Sequence, residues 1–283
     1  MTRERLRRVV CQDYYRPSAC NFVEKPIFWK AVITKEFVQL GSNDLVKAST
    51  LTDKHSEINV IEPLIQQLKS KDSIIRTKAV VGLGNSGAPA AVSFLVQALE
   101  DENRHVRRAA SAALRQVWND EAIIPLCSTL GDTDWFVRWN AALALGQIGD
   151  RRALDSLNTA LLDVNRYVRR NAAEALGNIR SKKATDWLVM ALEDPDVDVR
   201  WNAADALGKL RDRDATDPLI RALNDRDEFV RERVCSALGR IGDSRASVAL
   251  QHALKDINGD VQTTAEEALE KIKRHRSEEE PSS

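Results

Sequence analysis

Aromatic side chains make up only 5% of the 283 residues, there are four cysteines and four histidines, and neither sign of charge is in excess, 42 basic residues facing 42 acidic ones. Each shortage excludes something. Balanced charge leaves no surplus of Lys and Arg for a phosphate backbone, so no nucleic-acid partner is expected. Cys11, Cys20, Cys127 and Cys235 are too few and too irregularly spaced for a disulfide framework or a zinc module. No His cluster has metal-ligand spacing, and no metal is expected. No apolar run approaches the roughly 20 residues of a membrane span, and the start lacks the apolar core of a signal peptide. A soluble cytoplasmic protein with no membrane span is the expectation. A nucleophile elbow, a Gly-rich phosphate loop and a lifted carboxylate pair are missing too, so no catalytic residue can be named and enzyme activity stays open.

What the chain has instead is a period. Ile75-Arg76, Val106-Arg107, Val137-Arg138, Val168-Arg169, Val199-Arg200, Val230-Arg231 and Val261-Gln262 follow one another at intervals of 31 residues without insertion or deletion. Such a period specifies a solenoid of stacked units. It also explains the scarcity of large side chains, because narrow seams between small helices can be filled with Ala and Leu. Gln262 in place of arginine marks the last unit as a cap.

Residues 1–58 stand outside the repeat, residues 59–275 form it, and residues 276–283 read as a disordered polar tail. Arg3, Arg5, Arg7 and Arg8 suggest a solvated start, and Pro26 to Leu40 a short helix that could cover the open end of the first repeat. Thr50 to Asn59 reads as a polar linker. Cys11 and Cys20 fall in this part, where a functional thiol stays an alternative. Cys235 occupies the slot of Ala142, Ala173 and Ala204 and is expected to be a small buried hydrophobe, as is Cys127.

Each unit predicts two helices, A and B. In the fourth, Asp150 caps helix A with Ala153, Leu154, Leu157, Ala160 and Leu161 at helical spacing, and Asn165 caps helix B. Asp72, Asn103, Asp134, Asp196, Asp227 and Asn258 match Asn165. Gly84, Gly146, Gly177, Gly208 and Gly239 share a position near the end of helix B, where only a small residue permits close helix approach or an early exit. The recurring arginines read as a structural ladder to acidic turn residues, and Asn140, Asn171 and Asn202 as a column of stacked amides. Trp118 and Trp187 lie outside the columns and read as packing residues.

The stretch Asp132-x-Asp-x-x-Val-Arg-x-x-Ala-Ala-x-Ala-Leu-Gly-x-Ile-Gly-Asp150 resembles the short HEAT-like repeat of the phycobilisome lyase family, whose members include heterodimeric phycocyanobilin lyases and phycobilisome-degradation proteins. The resemblance implies an all-α, right-handed α-solenoid of about seven 31-residue HEAT-like repeats behind a non-repeat N-terminal segment. Helix A would line the convex side and helix B the concave side. It further implies a scaffold that handles a phycobiliprotein subunit or its bilin, a phycocyanobilin-type tetrapyrrole as transient ligand with no cofactor required, and a second HEAT-repeat subunit as partner. The alternatives are a lyase that attaches a phycobilin to a cysteine of an acceptor protein, and a general assembly adaptor, for example in cofactor insertion. Deoxyhypusine hydroxylase also resembles such arrays, but its iron site requires His-Glu pairs. Here His55, His105, His252 and His275 are followed by Ser, Val, Ala and Arg.

With the register set, positions that vary between repeats are free to make a site. Beside each Val-Arg pair these are Arg104, His105 and Arg108, then Trp135, Phe136 and Trp139, then Tyr167 and Arg170, then Trp201, and finally Phe229 and Glu232, with Asp205 one turn further. The reading is one contiguous aromatic groove with arginines toward its N-terminal side and an acidic C-terminal half formed by Asp198, Asp205, Glu228 and Glu232. Aromatics interleaved with arginine have the composition of a protein-binding hot spot.

Overall fold

Every Val-Arg pair lies in the first turn of a helix, and the cause is the short polar residue three positions before its first member. In a computed structural model of the protein, which describes residues 54–279, the side chains of Asp72, Asn103, Asp134, Asn165, Asp196, Asp227 and Asn258 each accept a hydrogen bond from the backbone amide two residues on. Each thereby satisfies a donor that the first turn of a helix leaves open. Pro26 to Leu40, Cys11 and Cys20 lie outside the described residues.

The described residues fold as seven helical hairpins, an α-solenoid. The A helices are α1 (Lys54–Leu68), α3 (Val92–Ala98), α5 (Ile123–Thr129), α7 (Leu154–Ala160), α9 (Thr185–Ala191), α11 (Thr216–Ala222) and α13 (Ser247–Ala253). The B helices are α2 (Ser73–Ser86), α4 (Arg104–Ala113), α6 (Trp135–Ile148), α8 (Arg166–Ile179), α10 (Val197–Leu210), α12 (Glu228–Ile241) and α14 (Gly259–Glu279). Three details differ from expectation. The Thr50 to Asn59 stretch is helical from Lys54 onward, Asp150 caps a single 3-10 turn, Arg151–Ala153, that leads into α7, and α14 continues through Glu279 into the stretch read as a disordered tail. Among the described residues no helix is long and apolar enough to cross a membrane.

The core is a seam of Ala, Leu and Val. On α8 it takes Val168, Ala172, Ala173, Ala175 and Leu176, all at most 1% exposed. Consecutive B helices pack directly on one another, whereas consecutive A helices barely touch. The B helices thus form the continuous layer of the stack, the side that the motif resemblance implies is concave. The close approach comes from the repeated glycine. A Cβ built on Gly177 would stand 2.8 Å from the Ala206 Cα, and Gly146, Gly208 and Gly239 face Ala175, Ala237 and Ala268 at 2.8 to 2.9 Å. Arg115 occupies the glycine position of the second repeat. There α4 ends at Ala113 after 10 residues, against 14 in α6 and α8, and the Arg115 Nε is buried without a partner.

The arginine ladder links each repeat to the next. Arg138 hydrogen-bonds Asp163 through Nε and Nη2, at 2.5 and 2.8 Å, while its Nη1 donates to the Asp132 carbonyl at 2.7 Å. The same two-sided contact joins Arg76 to Asp101, Arg107 to Asp132, Arg169 to Asp194, Arg200 to Asp225 and Arg231 to Asp256. Gln262 retains only the carbonyl contact, to Asp256 at 2.6 Å. Beyond it Glu266 and Glu270 replace the small residues of the seam, which gives the last helix a charged outer side.

The asparagines do not stack. Asn140 and Asn202 donate to carbonyls of their own helices, those of Phe136 and Asp198, and Asn171 donates to the Trp139 carbonyl of the preceding B helix. Trp118 is 47% exposed, whereas Trp187 packs against the core as expected. Cys235 is fully buried, and desolvation pushes its thiol up to about 12.

Gly177→Ala tests the seam. Alanine gains about 1 kcal/mol of helix propensity, but the clash with the Ala206 backbone should outweigh it and leave a net loss of about 1 to 3 kcal/mol. Gly259→Ala, with nothing within 4 Å of the added carbon, should leave the thermal midpoint unchanged or raised. Equal midpoints for the two variants would refute the close-approach role.

The ladder predicts acid sensitivity. Burial would raise the Asp225 carboxyl, but hydrogen bonds from Arg200 and the Asp227 amide bring it below the usual range, and Arg231 holds Asp256 low. Such a group stabilises the fold above the roughly 3.9 of an unfolded Asp, and the contribution disappears as pH falls through the folded value. Arg200→Gln, which strands a buried carboxylate, should cost about 3 to 5 kcal/mol at neutral pH. Urea unfolding followed by circular dichroism should show the gap between parent and variant narrowing as pH drops from about 5 toward 2. A gap independent of pH would count against the ladder.

Candidate functional site

Four rings come together on the B-helix face of repeats 3 and 4. They are brought there by the two helix starts, because α6 begins with Trp135 and Phe136 and α8 with Arg166 and Tyr167. The Tyr167 and Trp135 centroids are 5.9 Å apart, Trp135 meets Phe136 edge-on at 5.6 Å, and Phe136 meets Trp139 at 5.3 Å. A cation closes each end. Arg108 lies 5.3 Å from the Phe136 centroid and Arg166 lies 4.8 Å from that of Tyr167, while Arg166 Nη2 also donates to the Tyr167 hydroxyl at 2.9 Å. Trp135 is 39% exposed, and Phe136, Trp139 and Tyr167 are half-buried.

The arginines are engaged within the fold. Arg108 makes a paired hydrogen bond with Asp134, 2.9 Å from Nε and 2.6 Å from Nη2, and Asp134 is also the cap of α6. Burial would raise the Asp134 carboxyl, yet Arg108 keeps it below the usual range. Arg170 points its Nε at the Asn171 Oδ1, 3.4 Å away.

A second cluster occupies repeats 5 and 6. Arg233 lies over the Trp201 ring at 4.2 Å. Asp205 receives Lys209 and Arg240 at 3.0 Å and Arg233 at 3.4 Å. Desolvation opposes the Asp205 charge, but Lys209, Arg240 and Arg233 hold its carboxyl below the usual range, and desolvation lowers Arg233.

The single groove expected from the sequence is therefore two clusters. Arg108, Trp135, Phe136, Trp139 and Tyr167 are brought together. Trp201 belongs to the second group, and Phe229, 47% exposed, makes no ring contact among the described residues. Arg104 and His105 are exposed at the start of α4. Trp139 and Trp201 also pack against the core, so neither ring is a pure surface group. Nor is the C-terminal half simply acidic. Glu228 is exposed and Glu232 half-buried, but Asp205 is enclosed by bases. Arg233 and Arg240 went unrecognised as site residues. The available signal was arginine in the asparagine column, where Asn140, Asn171 and Asn202 precede Arg233 at the 31-residue spacing.

These hairpins, their shared inner face and their ladder define an α-solenoid repeat protein. More particularly, the chain belongs to the HEAT-repeat family, whose model, described as HEAT repeats, matches residues 61–136, 113–177, 158–222 and 185–270. No curated protein matches the sequence. Among solved structures, the chain is similar to an engineered protein at 25% identity and a TM-score of 0.54, covering 75% of this chain and 68% of that one. It is also similar, in fold alone, to the complex of CpcE and CpcF of phycocyanin lyase from Nostoc sp. PCC7120, at 24% identity and TM-score 0.49 over 83% and 99% of the two chains. A designed armadillo repeat protein in complex with a (KR)4 peptide shares the fold at 23% identity and TM-score 0.49, over 75% and 99%.

Proposed function

We propose that the protein is a binding scaffold that grips another protein on its concave face, with the Trp135, Phe136, Trp139 and Tyr167 cluster as the anchor. Trp135 carries this reading. It is a large ring left 39% exposed, yet it is fixed between Phe136 and Tyr167, and a pre-ordered aromatic with arginines at the rim loses little freedom on binding. Capture from source cells with parent and Trp135→Ala Tyr167→Ala protein as bait identifies partners that depend on the cluster. With the purified partner, the double variant should lose about 2 kcal/mol or more, roughly 30-fold in Kd. Unchanged affinity in a normally folded variant would overturn the reading.

The motif resemblance supports a finer version, in which the partner is a phycobiliprotein subunit or the ligand its bilin, and the alternatives are lyase activity on an acceptor cysteine and a general assembly adaptor. Tilted rings 5.3 to 5.9 Å apart suit a flat conjugated ligand. Arg108 is a poor anchor for a propionate, since Asp134 already takes its paired donors. Absorbance titration with a free phycocyanobilin-type tetrapyrrole should give a saturable spectral change that Trp135→Ala diminishes. No change at micromolar pigment would remove the direct bilin site.

A further inference from the structure

Repeat 2 departs from its neighbours at the end of helix B. Arg115 stands where Gly84, Gly146, Gly177, Gly208 and Gly239 admit the next helix, and Trp118 stands where Gly87, Gly149, Arg180, Arg211 and Gly242 close helix B with a left-handed residue. A bulky side chain enters that conformation at a cost. Here α4 ends at Ala113 and packs less extensively on α6 than the other B helices do on their successors.

Arg115 gains no partner in return. Its guanidinium is half-buried, its Nε is sealed off without an acceptor, and no hydrogen bond or ion pair reaches its side chain among the described residues. Burial is the one influence on its ionisation, so no carboxylate of the fold lies close enough to act. Asp120 is turned toward Arg152 instead, at 3.7 Å. The other buried bases are served differently. Each ladder arginine holds a carboxylate, and in repeat 5 Asp205 takes Lys209, Arg233 and Arg240. In repeats 2 and 3 the Asp205 position holds Ala112 and Leu143. A base that has lost water without gaining an acid is relieved by a carboxylate from outside, received by the two Nη groups, which unlike Nε are not sealed off.

We propose that Arg115 and Trp118 form a site for a carboxylate carried next to an apolar side chain on a partner protein. Charge complementarity selects the acid. Trp118, three residues on in the same turn and 47% exposed, selects the apolar neighbour. The inference rests on the protein-binding reading for the source of that segment. The site itself lies at the opposite end of the B helices from the rings, so it can be tested without them.

The probe is acetyl-Glu-Phe amide, which carries one carboxylate, one ring and no terminal charge. It is titrated into the full chain with isotope-labelled arginine, and the Nε–H resonance of Arg115, assigned by its absence from Arg115→Met, is followed. The resonance should move saturably at millimolar probe, and acetyl-Gln-Phe amide should bind about tenfold more weakly or not at all. Acetate should bind more weakly than the Glu probe by a margin that Trp118→Ala removes, with melting curves as the folding control. No saturable shift overturns the site, as does equal binding of the Glu and Gln probes. Acetate that matches the Glu probe, or a margin that survives Trp118→Ala, overturns the apolar half. With a partner captured through the ring cluster, Arg115→Met should raise Kd about tenfold, and an unchanged Kd overturns the partner as the source. If the probe fails while Trp135→Ala Tyr167→Ala still weakens that partner, the carboxylate site falls and the scaffold reading stands. If the probe binds and Arg115→Met weakens the partner while the ring variants do not, the ring anchor falls and the site stands.

Discussion

The approach of each B helix to the next, glycine against alanine, is the constraint on which the rest of the structure depends. A missing Cβ lets the backbone of Ala206 come within 2.8 Å of where that atom would be on Gly177, closer than real side-chain carbons tolerate. The B helices thereby form a continuous layer, and positions that vary between repeats lie along it. The same gap receives the stems of Lys209, Arg240 and Lys271. Where Arg115 fills the position, α4 stops short. One missing methyl in each of five repeats thus acts on packing and on the placement of long side chains together.

The arginine ladder does a different kind of work. Paired ions that lose water on folding add little net stability and exact a heavy penalty when one partner is removed. Their geometry carries information that Ala and Leu packing lacks. Each guanidinium fits carbonyls of its own turn on one side and a carboxylate of the next turn on the other, so sliding one hairpin by a turn along its neighbour would strand both charges. The seam supplies cohesion and the ladder supplies register.

Much of this was legible because it is local or recurs at a constant offset. Caps, glycine column and ladder all follow from the 31-residue period and the chemistry of one or two residues. The asparagine column misled because a period says that environments are equivalent and does not say which atom each amide will meet. The groove misled for a related reason. Trp139 and Trp201 share a column with Arg170 between them, and Tyr167 and Phe229 share another with Asp198 between them. Rings two repeats apart cannot touch across a polar neighbour, so four side chains cluster and two do not. Asp205 was read by its own sign, whereas Arg233 and Arg240 reach it from the next helix, 28 and 35 residues along the chain.

The division of the concave face into rings and charges also constrains what a partner must look like. Close-packed aromatics act at short range and govern how long a complex lasts, while an excess of one charge acts at longer range and governs how quickly and in which orientation partners meet. Here the two kinds of group occupy different halves, Trp135 to Tyr167 in repeats 3 and 4 and Lys209 to Lys271 in repeats 5 to 7. The charges of the second half are largely matched within the protein, Asp205 against Lys209, Arg233 and Arg240, so on the proposed reading the exposed ring of Trp135 is where a partner would gain most.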